Sequence, residues 1–70
     1  MKSHFEMSNY LELKGYDIFP FKTKDGKFKV SLWVFDKFID YGKFEYNKLE
    51  DAIFKTTKDI YNKLIIIDMG

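Results

Sequence analysis

Residues Lys27-Phe28-Lys29-Val30-Ser31-Leu32-Trp33-Val34-Phe35-Asp36 decide how this chain reads. Side chains along a strand alternate between two faces. Phe28, Val30, Leu32 and Val34 therefore share an aliphatic core face, and Lys27, Lys29, Ser31, Trp33 and Phe35 share the other. A strand that is apolar on both sides is either covered twice or offers one face to a partner. The second face is the main functional handle. Trp33 and Phe35 stand on it as aromatic anchors, and Lys27, Lys29 and Lys37 form a rim that favours an acidic partner.

Working upstream, Lys24-Asp25-Gly26 is a tight turn, Asp-Gly being a strong hairpin signal. Tyr10 to Thr23 reads as an extended segment interrupted at Gly15, where a bulge resets the face. Pro20 cannot donate to a ladder, which makes this an edge strand. Residues 1–9 read as a flexible or loosely docked segment, with Ser3 and Glu6 spaced to cap a short helix. Folding of Phe5, Met7 or Leu11 over Trp33 and Phe35 is the plain alternative to a partner site.

Downstream, Lys37 to Tyr41 is either loop or the start of a third strand, and the alternation Lys43-Phe44-Glu45-Tyr46 predicts its main part. Asn47 reads as an N-cap, with Glu50 three residues on completing a capping box. Leu49, Ala52, Ile53, Thr56, Ile60 and Leu64 recur at helical spacing and form the stripe facing the core. Phe54, Tyr61 and Ile65 make a second line beside it, while Lys48, Lys55, Lys58, Asp59 and Lys63 lie on the wet side. The predicted fold is α+β: a three-stranded antiparallel meander packed against one C-terminal helix (β-β-β-α), a single domain over residues 10–70.

Composition narrows the chemistry. The chain has 70 residues, no cysteine and a formal charge of +1. A disulfide framework and a cysteine-ligated zinc site are thereby excluded, and a reducing cytoplasm fits. All twelve basic residues are lysine. Half of the chain is Phe, Tyr, Asn, Lys and Ile, residues with A- and T-built codons, which points to an AT-rich bacterial or phage genome. The missing arginine forks and the balanced charge argue against a nucleic-acid binder, whose affinity rests on neutralising phosphates. The start shows no apolar run followed by a cleavage site, so no signal peptide is expected. Leu64-Ile65-Ile66-Ile67, the longest aliphatic run, is far too short to span a bilayer.

Leu13-Lys14-Gly15-Tyr16-Asp17-Ile18-Phe19-Pro20, then Asp25-Gly26-Lys27-Phe28, then Phe44 through Ala52-Ile53 and Asp59-Ile60, resembles the small β-β-β-α proteins of phages and prophages. The order of elements is also similar to the arm-binding domain of phage integrases. The resemblance covers most of residues 11–64 and implies a phage-type role in either protein or nucleic-acid binding.

Catalytic machinery is not expected. His4 is the only histidine and stands in the N-terminal segment; Ser3, Ser8 and Ser31 lack a nucleophile elbow. Asp36, Asp40 and Glu45 read as solvated carboxylates rather than a metal site, and no cofactor is implied. Phe54, Lys58 and Tyr61 form a second candidate surface on the helix, and the tail Ile65-Ile66-Ile67-Asp68 offers a route to a homodimer. The expected function is non-enzymatic: binding of a larger protein complex, in its most concrete form inhibition of a host defence system of the anti-CRISPR kind. The alternative is a nucleic-acid-binding module similar to integrase arm-binding or double-stranded-RNA-binding domains.

Overall fold

The computed structural model describes residues 3–69. Its elements run α1 (His4–Leu13), β1 (Tyr16–Lys22), β2 (Phe28–Val34), β3 (Lys37–Tyr41) and α2 (Leu49–Met69). The strands form one antiparallel sheet in the order β1-β2-β3, so the β-β-β-α meander is present, preceded by an additional helix. Among the described residues, no helix is long and apolar enough to cross a membrane.

β2 is the hub because it alone pairs on both sides. Tyr16, Ile18 and Pro20 of β1 stand opposite Val34, Leu32 and Val30, which builds the aliphatic face. Asp17, Phe19 and Phe21 stand opposite Trp33, Ser31 and Lys29, which builds the other. The β1–β2 hairpin closes as Asp25-Gly26 predicts: Gly26 takes φ +82°, and the amide of Thr23 donates to Lys27 O at 2.7 Å.

α2 lies on the aliphatic face, where Val30, Ala52 and Leu64 are buried. The helical stripe is rotated slightly from the expected one. Thr57 rather than Thr56 is buried in the core, and Leu49 is exposed. The helix also begins one residue later than Asn47 predicts. The first helical bond runs from Ala52 N to Lys48 O, and the Asn47 side chain instead accepts from the Lys27 ammonium. At the other end the β-prone tail stays helical to Met69.

Two further elements depart from the sequence reading. Residues 10–13 are helical, not extended: α1 runs unbroken from His4, with Ser3 capping it by accepting from Glu6 N. Leu11 is buried, Tyr10 meets Tyr61 edge-on at 5.2 Å between centroids, and Lys14 pairs with Asp68 at 3.2 Å. Tertiary packing on α2 overrides the apparent alternation of Leu11 and Leu13. The third strand is Lys37–Tyr41, and of the expected Lys43–Tyr46 strand only Tyr46 returns to the sheet, bridging Phe28.

Phe35 and Asp36 are also turn residues rather than the end of β2. Both have positive φ, 49° and 66°, the backbone of a two-residue hairpin loop between Val34 and Lys37. The Phe35 amide donates to Gly15 O at 2.9 Å, and its ring lies where a side chain on Gly15 would be. Gly15 itself has φ +84°, so the close approach and the conformation both demand glycine there.

Two substitutions test this arrangement by urea unfolding. Leu11→Ala should cost about 2–4 kcal/mol, because α1 carries part of the core. Gly15→Ala should cost about 2 kcal/mol or more, from left-handed strain plus displacement of the Phe35 ring. A loss under about 0.5 kcal/mol in Leu11→Ala would show that α1 does not hold to the fold.

Candidate functional site: an aromatic face on the sheet

The side of the sheet opposite α2 is lined by rings. Phe19 contacts Trp33 edge-on with centroids 6.2 Å apart, and Trp33 contacts Phe38 at 5.6 Å. Phe38 packs on Tyr41 at 4.5 Å, and Tyr41 on Phe21 at 5.5 Å. The five rings come from all three strands and form one continuous chain. Three of the four contacts are edge-to-face, the positive rim of one ring against the negative face of the next, and the Phe38–Tyr41 pair is tilted at 50°.

Ser31 sits at the centre and is buried. Its hydroxyl donates to Phe19 O at 3.1 Å and accepts from Trp33 Nε1 at 3.1 Å. The indole is thereby tied to the sheet with its one polar group satisfied. Two shallow hollows open beside it. One is lined by Lys29 with Phe21, Phe38 and Tyr41, and the other by Asp36 with Phe19.

Among the described residues, nothing in the N-terminal segment covers this face. α1 packs on α2 through Tyr10–Tyr61 and through His4–Phe54, whose centroids are 4.4 Å apart. Phe19 and Tyr41 remain 54% exposed, and Phe38 remains 42% exposed. Three rings exposed to that degree on one sheet face amount to an apolar patch that water covers poorly.

Of the residues the sequence singles out for partner binding, Trp33 and Lys29 lie on this face. Phe35 and Lys37 belong to the β2–β3 turn end, and Lys27 turns to the start of α2 and Asn47. Phe54 and Tyr61, expected as a second surface, seat α1, while Lys58 stays exposed. Phe19, Phe21, Phe38 and Tyr41 are the residues that sequence reading missed. For Phe19 and Phe21 the signal was available only with the right loop length. Counting back from a three-residue loop Lys24-Asp25-Gly26, with Thr23 opposite Lys27, places them opposite Ser31 and Lys29, whereas a two-residue Asp25-Gly26 turn would put them on the other register.

On the helix side, a cleft of about 500 Å³ separates α2 from the bulged residues 42–46, with Val30, Leu32, Phe44 and Ile60 in its walls. It marks where α2 stops short of β3; Asp40 and Lys43 line it too, and Lys63 and Asp59, also in its lining, pair with each other at 3.1 Å. Among the described residues, no three His, Asp or Glu side chains gather in a way that would hold a metal ion. Compared with known proteins, the chain matches no family model, no curated protein and no solved structure.

If the rings face solvent, their removal should disturb the fold less than core truncation does. Trp33→Ala is expected to cost about 1–2 kcal/mol, clearly less than Leu11→Ala. Ser31→Ala should cost about 1 kcal/mol and free the indole, read as a red shift and easier iodide quenching of the single tryptophan. A Trp33→Ala variant that is unfolded would place the ring in the core instead.

Proposed function

We propose that this protein is a non-enzymatic binding module that docks on a larger protein complex through the aromatic face of its sheet. The observation that carries the reading is the unbroken chain Phe19–Trp33–Phe38–Tyr41–Phe21, open on the side away from both helices. Rigid rings lose little side-chain entropy on burial and give large contact areas, which is why interface hot spots are rich in them. The rim is polar, with Lys29 at one end and Asp17 and Asp36 at the other.

The same charges favour protein over nucleic acid. Bases stack on aromatic platforms, but the surrounding groups must then neutralise phosphates. Here two carboxylates flank Trp33, and the chain has no arginine. Inhibition of a host defence complex, by occupying a surface it needs, is the concrete form of the proposal. Its support is the small size of the chain and its resemblance to phage proteins.

The test is capture from host lysate with wild type beside Trp33→Ala, both confirmed folded by circular dichroism. The affinity for the captured complex is then measured. Trp33→Ala should weaken it by at least about 30-fold, the effect of about 2 kcal/mol expected for a buried anchor. Equal affinity of the two folded proteins would remove this face from the binding site. Binding to single-stranded or duplex DNA should be weaker than about 10 μM at about 150 mM salt. Submicromolar, steeply salt-dependent DNA binding would replace this reading with a stacking platform for nucleic acid.

A further inference from the structure

The aromatic face has its charges sorted along the strands. At the β2–β3 turn end, Asp17 stands opposite Trp33 in the ladder, and Asp36 lines the hollow that holds the same indole. At the far end, Lys29 stands opposite Phe21. Ser31, opposite Phe19, is the midpoint between Trp33 and Lys29. A face that is acidic at one end, basic at the other and apolar between is complementary to itself once reversed.

We propose that a second copy of this chain covers the aromatic face of the free protein, giving a two-fold, face-to-face dimer. The axis lies in the plane between the sheets, perpendicular to the strands and over Ser31. Rotation about it reverses each strand direction while laying β2 on β2. Lys29 of one copy then falls over the Trp33 ring of the other, between Asp17 and Asp36. The ammonium gains a cation–π contact and two carboxylates at once. Because the interface is isologous, the contact is made twice. The product is a six-stranded sandwich, with sheets about 10 Å apart, strands within about 30° of alignment and helices outside.

The edges of the sheet make other pairings poor. β1 carries Pro20 in its middle, and β3 has five residues and a register shift opposite Leu32 and Trp33. Proline, short length and bulges all oppose strand addition at an edge, which leaves the face. Two seven-residue strands and one of five, side by side, give a footprint of at most about 23 by 14 Å. Such a footprint, about 320 Å² per copy, is below the roughly 800 Å² per partner of a standard specific interface, so the dimer should be weak, forming at concentrations on the order of 100 μM. It rests on the reading that this face docks protein, and the larger partner displaces the second copy.

Sedimentation equilibrium of the purified chain from about 5 μM to 1 mM tests the proposal. Wild type should pass from monomer to dimer across this range. Lys29→Glu alone and Asp17→Lys/Asp36→Lys alone should each weaken association at least tenfold. Mixed in equal amounts, the two variants should re-form a dimer, because every interfacial contact again joins opposite charges. A wild type that stays monomeric at 1 mM overturns the dimer. So does a dimer that survives both variants, which would place the contact on the helices. Neither result touches the docking of a larger complex, which the Trp33→Ala affinity decides separately.

Discussion

The docking of α1 against α2 decides which half of the sheet meets water. A chain of 70 residues has little material for a second covering layer, and both helices lie on the same side. Tyr10 is the pivot. Its ring meets Tyr61 edge-on, and its hydroxyl donates to the Asp68 carboxylate, which also pairs with Lys14. With α1 committed to that seam, no other described part of the chain is placed over Trp33 and its neighbours. The open aromatic face is thus a consequence of helix–helix packing as much as of the strands that carry the rings.

The face is held rigid by a polar group. Ser31 spends its donor on a strand carbonyl and its acceptor on the indole, so Trp33 has one orientation and the four phenyl and phenol rings arrange around it. A platform fixed before contact loses less freedom on binding than a set of mobile side chains would. The bulge in β3 contributes as well, since the shifted register brings both Phe38 and Tyr41 onto the aromatic face.

Much of this was legible in the residues. The alternation of residues 28–34 predicts both faces of β2, Asp25-Gly26 predicts the first hairpin, and the 3–4 spacing from Ala52 to Leu64 predicts α2. Three things were hidden, each for a physical reason. α1 is short, and Leu11 and Leu13 imitate a strand; the weaker spacing of His4, Met7 and Leu11, with Ser3 as cap, is the helical signal. The β2–β3 turn uses Phe35 and Asp36 where Asn-Gly or Asp-Gly is usual, so only Asp36 announces it and no glycine does. Lys43–Tyr46 alternates well, yet the chain bulges outward there, because tertiary pairing at Gly42 and Tyr46 fixes its ends. Misplacing β3 concealed Phe38 and Tyr41, and with them the extent of the site.

The seam between the helices also bears on how the chain matures as it is made. Synthesis runs from α1 toward α2, and the contacts that hold α1 lie at Phe54, Tyr61 and Asp68. A ten-residue helix is marginal in water by itself. The three strands emerge in the meantime, with only local pairings to make and with Val30 and Leu32 still uncovered on one side and five rings on the other. The helix made before the strands therefore becomes ordered after them. During that interval the nascent sheet shows apolar surface on both faces, and chaperone contact should be strongest then.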